Sequence, residues 1–192
     1  MNLVAIVGSV TPPGRLVSAT KWLIDDARES RPDLNTQLIN LGEKRVAFAD
    51  GRPPEQYNDD TASIVRSALD ADAVILATPV YRGSYTGALK NLLDHLPIES
   101  LGGKPVAIVA MGATNHHFLG ADWHLRDVLA WFGALVLPTS VYLSSADFVD
   151  GQLADGAKQD LRALASAAIA LTAASPGKGN FIGPKPLAAR RG

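Results

Sequence analysis

Five short β-branched, strand-like runs alternate along the chain with five longer stretches of helical periodicity, and that alternation limits the possible folds more than any other feature. The runs fall at residues 3–7, 35–41, 73–77, 106–110 and 135–143, the last interrupted by Pro138. Several are apolar at nearly every position, as suits strands covered on both faces. Between them, Leu16, Ala19, Leu23 and Ala27 keep the three-and-four spacing of one helix face, as do Val65, Ala68 and Leu69. Leu89, Leu92, Leu93 and Leu96 follow the same rule, then Leu125, Val128, Leu129 and Phe132, and finally Leu153, Ala157, Leu161, Leu164, Ala168 and Leu171. Each crossover between parallel strands is right-handed and lays a helix on one face of the sheet. The pattern therefore predicts an α/β three-layer sandwich around a five-stranded parallel sheet, one domain over residues 1–174.

A chain of 192 residues can enclose a real core as a single domain. Lys and Arg number 18 against 19 Asp and Glu, so no global field draws the molecule to nucleic acid or an acidic membrane. Cysteine is absent, which removes disulfides, thiol catalysis and cysteine-ligated metal centres. No apolar run approaches the roughly 18 residues of a membrane span, and no signal peptide is recognisable, so a cytoplasmic protein is expected. Residues 42–60 are polar and read as a long loop. The Gly/Pro-rich basic tail, 175–192, reads as a frayed terminus in preference to an arm around a neighbouring subunit.

In a doubly wound sheet, ligands collect beyond the carboxyl ends of the strands. The first such end reads "GSVTPPGRLVS". Gly8 permits a sharp turn, Ser9 offers a hydroxyl and an amide, and Arg15 brings a forked cation to the amides that open a helix, a combination suited to a terminal phosphate. It is neither the G-x-G-x-x-G fingerprint nor a Walker A loop, and a plain strand-to-helix turn fits this stretch alone equally well. The third end, "TPVYRGSYTGALKNLLDHLP", offers peptide groups, two aromatic rings and a cation along one wall, which suits a flat heteroaromatic edge. A third loop, "MGATNHHFLG", brings Gly112 and Thr114, small enough for close approach to a planar group.

Gly8 and Ser9 with Arg15 and Ser18, then "TPVYRGSYTGALKNLLDHLP", then "MGAT", together resemble the NADPH-dependent FMN reductases of the flavodoxin-like superfold, in particular the reductase components of two-component alkanesulfonate monooxygenase systems. The resemblance runs from Leu3 to about Leu171 and leaves out the tail. It implies a strand order of 2-1-3-4-5 and non-covalently bound FMN. By position, Ser9, Arg15 and Ser18 would hold the phosphate. Pro79, Val80, Tyr81, Arg82 and Ser84 would line the isoalloxazine, and Gly112, Ala113 and Thr114 would meet its opposite edge. Thr11 stands where many relatives carry arginine, and Leu16 and Val17 stand where hydroxyl residues are common. That departure implies a looser phosphate grip, as suits an enzyme that releases its flavin. NADPH as the donor is likewise an implication of the resemblance, as are a homodimer or homotetramer built partly on the helix around residue 125 and an FMNH2-dependent monooxygenase as partner.

With hydride passing from nicotinamide to flavin, the protein's task is placement, desolvation and stabilisation of the anionic reduced ring, and no separate catalytic side chain is required. Arg82 would set positive charge near that anion. An FMN-retaining reductase of quinones, azo dyes or metal oxyanions is the alternative on the same fold. A flavodoxin-like electron carrier is disfavoured by a net charge of only −1. His116, His117 and His124, with Asp122 and Asp127, match no common zinc spacing, so no metal site is expected. His95 reads as a surface or interface residue. Trp123, Trp131 and Phe132 read as core or subunit contact.

Overall fold

The computed structural model describes residues 1–11, 14–177 and 179–190, so Pro12 and Pro13 of the first crevice motif lie outside the described residues. Its elements follow in order: β1 (Asn2–Val7), α1 (Arg15–Ser30), β2 (Asn35–Asn40), α2 (Thr61–Asp70), β3 (Ala73–Pro79), α3 (Gly87–His95), β4 (Pro105–Met111), α4 (Gly120–Phe132), β5 (Leu135–Val136), β6 (Val141–Leu143), β7 (Phe148–Val149), β8 (Gln152–Leu153) and α5 (Asp155–Leu171). The parallel sheet runs β2-β1-β3-β4-β5, with β6 also pairing to β4. The fifth position is thus one strand in two pieces: Pro105 and Val106 of β4 face Leu135 and Val136, and Val109 to Met111 face Val141 to Leu143. Pro138, which has no amide to donate, stands in the break.

Period-two alternation sorts each central strand between two cores. Leu3, Ala5 and Val7 of β1 join Ile75 of β3 and Val109 of β4 beneath Leu16 and Leu23 of α1 and Leu161 and Leu164 of α5. Val4, Ile6, Val74, Leu76 and Ile108 point the other way, to Ile64 of α2, Leu89 and Leu92 of α3 and Leu125 and Phe132 of α4. The architecture is the predicted three-layer sandwich.

Residues 42–60 contain only a short 3-10 turn at Pro54–Gln56 and part of another at Leu41–Glu43, yet they are held closely. Asp60 accepts from the Arg45 amide at 2.9 Å and from Lys44 Nζ at 3.1 Å, and the Asn91 carboxamide bonds the backbone of Ala47 and Ala49. His95, expected at the surface or an interface, is instead buried: its Nε2 lies 2.8 Å from the Ala47 carbonyl and its ring meets Tyr57 edge-on. The loop folds over α3 and covers it.

Three carboxyls of this loop, Asp50, Asp59 and Asp60, sit below the ordinary range. The Arg45 amide and then Lys44 lower Asp60; Arg52 and then the Tyr57 hydroxyl lower Asp50. Folded values below the unfolded one mean stabilisation that is complete above about pH 4–5 and is lost as pH falls through the folded values. Between pH 5 and pH 3 the melting temperature of the parent protein is expected to fall further than that of Asp60→Asn, which starts lower at neutral pH. Parallel curves would remove Asp60 from that role.

The tail departs from expectation. Rather than fraying, its described part folds back on the amino-terminal edge of the sheet. Phe181 lies where a side chain on Gly102 or Gly133 would sit, and the Asn180 carbonyl occupies the space beside Gly103, whose φ is +68°. Ser175 Oγ donates to the Gly103 carbonyl at 2.6 Å.

Candidate active site

The loops that follow β1, β3, β4 and β6 leave the sheet at its carboxyl edge, because all four strands are parallel. Thr86 joins the first two. It caps α3 by accepting from the Leu89 amide at 3.2 Å, and its hydroxyl donates to the Gly8 carbonyl at 2.5 Å. The Thr86 amide donates to Thr78 Oγ1 at 3.1 Å, so the turn is fixed from both sides. Gly8 is needed for proximity more than for its turn: a Cβ there would lie 2.7 Å from Leu89 Cβ.

Ser9 is buried, while Arg15 and Ser18 are exposed at the start of α1. Among the described residues no side chain caps this helix, and no acidic residue occupies its first turn; the Val17 and Ser18 amides both bond the Gly14 carbonyl. The helix therefore presents an uncompensated positive end. Arg15 does not point freely into solvent: it donates to Ser145 Oγ at 3.2 Å and its guanidinium lies 5.2 Å from the centre of the Phe148 ring.

The second loop forms a tight hairpin. Tyr81 and Ser84 exchange both backbone bonds, 2.8 and 3.1 Å, around Arg82 and Gly83 at φ 54° and 77°. Two consecutive positive φ values are the geometry of a type I′ turn, one of which here falls on a non-glycine residue. The turn projects Tyr81, 48 % exposed, and its hydroxyl meets Thr11 Oγ1 at 3.0 Å. Pro79 and Val80 are half-buried beneath it, and the Val80 amide bonds the Met111 carbonyl at 2.8 Å. His124 of α4 meets Ser84 Oγ through Nδ1 at 2.9 Å. Gly120 permits this approach, since a Cβ there would lie 2.5 Å from the Gly83 carbonyl oxygen.

In the third loop, Ala113 and Thr114 are exposed and Gly112 is half-buried. Gly112 leaves the space that the Tyr142 hydroxyl fills, and that hydroxyl donates to the Thr114 carbonyl at 2.6 Å. Burial raises the Tyr142 pKa, which keeps it a neutral donor. Of the residues drawn as a metal alternative, Asp122 pairs with Arg126 at 2.8 Å and His124 is bonded to Ser84.

The sequence reading missed Thr86, His124, Tyr142, Ser145 and Phe148. A threonine just before a helix is a capping signal and could have marked Thr86. The others contribute through contacts 28 to 133 residues apart in sequence, for which no local pattern exists.

A parallel sheet in the order 2-1-3-4-5 with ligand-sized loops at its carboxyl edge defines the flavodoxin-like class. Within that class, residues 1–148 match the family described as NADPH-dependent FMN reductase. A "NAD(P)H-dependent FAD/FMN reductase" from Geobacillus thermodenitrificans is 34% identical over 148 residues, covering 77% of this chain and 80% of the relative. The "NADH-dependent FMN reductase SfnF" of Pseudomonas fluorescens is 32% identical over 80% of this chain and 81% of its own. Among solved structures, the apo form of an NADH:FMN oxidoreductase (EMOB) superposes with a TM-score of 0.79 at 26% identity, covering 96% of this chain and 97% of that one. The chain belongs to the NADPH-dependent FMN reductase family, oxidoreductases that use NAD(P)H and FMN.

Proposed function

We propose that this protein passes a hydride from NADPH to FMN as an exchangeable flavin and supplies the reduced flavin to a partner monooxygenase. The observation that carries the reading is the exposed, uncapped start of α1, with Arg15 held beside it by Ser145 and Phe148, on the same edge of the sheet as Tyr81. Such an edge can admit a phosphorylated flavin and let it go.

The residues present suit that group. Backbone amides at a helix start, Ser9, Ser18 and a guanidinium form a donor set for a phosphate dianion with no carboxylate in the first turn to oppose it. Thr11 supplies a neutral hydroxyl in place of a second cation, and that hydroxyl is already shared with Tyr81. Pro79, Val80, Tyr81, Arg82 and Ser84 would line the ring on one side, with Gly112, Ala113 and Thr114 at its other edge. Bound FMN supplies the electron-accepting ring. The chain's part is to hold that ring between two loops, exclude water from one face and leave the other open to nicotinamide. Arg82, exposed at the tip of the hairpin, would supply positive charge beside the reduced ring. Exposed Trp123, Trp131 and Phe118, on and beside α4, support a homodimer or homotetramer.

The test is NADPH oxidation by purified protein at increasing free FMN, with NADH run in parallel and cytochrome c present to trap reduced flavin. Saturation with FMN as a substrate and reduction of cytochrome c are expected. Permanently retained FMN, with turnover indifferent to added flavin and rapid on quinones, would establish the alternative reductase instead.

A further inference from the structure

We infer that Ser145 and Phe148 are positioning residues for Arg15, holding its guanidinium ready for the flavin phosphate; the inference rests on the reading just given. Arginine has many rotamers, and one that must be ordered on binding spends affinity on its own immobilisation. In this chain that ordering is already done. Phe148 lies under the guanidinium, with 5.2 Å to the ring centre, and Ser145 Oγ accepts one N–H at 3.2 Å. A guanidinium carries five N–H donors in one plane. A cation–ring contact and one hydrogen bond leave the remaining donors for a two-pronged grip on an oxyanion.

The support is itself rigid. Ser144 and Asp147 form a reciprocal capping box: Asp147 accepts from the Ser144 amide at 2.7 Å, and Ser144 Oγ accepts from the Ala146 amide at 3.2 Å. Phe148 then opens a two-residue hairpin, pairing with Leu153 across Asp150 and Gly151 at φ 49° and 79°. The ring is half-buried and packs against the α1–α5 core, and the Ala154 amide closes the hairpin on the Asp147 carbonyl at 2.9 Å. A segment with this many internal ties has one position, and it delivers two contacts to one exposed side chain 130 residues earlier in sequence. The family match ends at residue 148, so the hairpin beyond Phe148 lies outside what it covers.

Flavin-fluorescence titration of FMN and riboflavin, together with a double-mutant cycle, tests the inference. Ser145→Ala, at an exposed position, and Phe148→Leu are each expected to weaken FMN three- to tenfold and to change riboflavin by less than about twofold, with Phe148→Tyr close to the parent. In an Arg15→Ala background neither substitution should have any further effect on FMN. Unchanged or tighter FMN binding in both variants would overturn the inference, as would a loss that persists without Arg15 or that strikes riboflavin equally. If Arg15→Ala alone leaves the preference for FMN over riboflavin intact, the phosphate assignment itself fails, a result distinguishable from failure of the positioning role.

Discussion

Arg15→Ala is expected to weaken FMN binding ten- to a hundredfold and to leave riboflavin nearly unaffected. A charge-assisted bond to a phosphate contributes about 1.5–3 kcal/mol, which converts to that range of Kd. Arg15 is exposed at the first position of α1, so its removal opens no cavity, and the melting temperature should hardly move. The small thermal effect makes the comparison clean: riboflavin keeps the ring and loses only the phosphate, and equal losses for both flavins would mean that Arg15 shapes the loop. Raising the salt concentration should narrow the difference between parent and variant, because an exposed ion pair is screened.

Gly8→Ala is expected to damage both stability and flavin binding, by a different route. The added methyl would stand 2.7 Å from Leu89 Cβ, an atom anchored directly to the α3 backbone, so strand end and helix must separate. Overpacking of this kind costs about 1–3 kcal/mol, and at this chain length each kcal/mol lowers Tm by roughly 2–4 °C. Separation also strains the bond from Thr86 to the Gly8 carbonyl, which ties the first crevice loop to the second. FMN and riboflavin should therefore weaken together, in contrast to Arg15→Ala. Gly87→Ala, on the same helix, meets nothing within 4 Å and should be neutral or stabilising by about 0.4–1 kcal/mol. Similar melting curves for the two alanine variants would contradict the packing account.

These two glycines mark the boundary of what sequence pattern conveys. The sheet was legible because each strand and helix carries its own periodicity, and even the interruption at Pro138 follows from the missing amide of one residue. Gly8 was legible as a turn but not as a contact, since Leu89 meets it only after β1, β3 and α3 have assembled. The capping box around Ser144 and the Asp150-Gly151 hairpin are local signals too, but strands of two residues are too short to show alternation. His95 and the tail were misread for a common reason. Each is held by a distant segment, His95 buried by the loop at Ala47 and Phe181 half-buried against a socket of glycines, and polar or flexible composition says nothing about such partners.

The docked tail bears on how the molecule could be attached to something else. Gly102, Gly103 and Gly133 precede β4 and β5, so Phe181 is seated at the pole opposite the crevice loops. An electrode linker or a fused enzyme joined through the tail would pull on that pole and leave the crevice loops at the opposite edge turned outward.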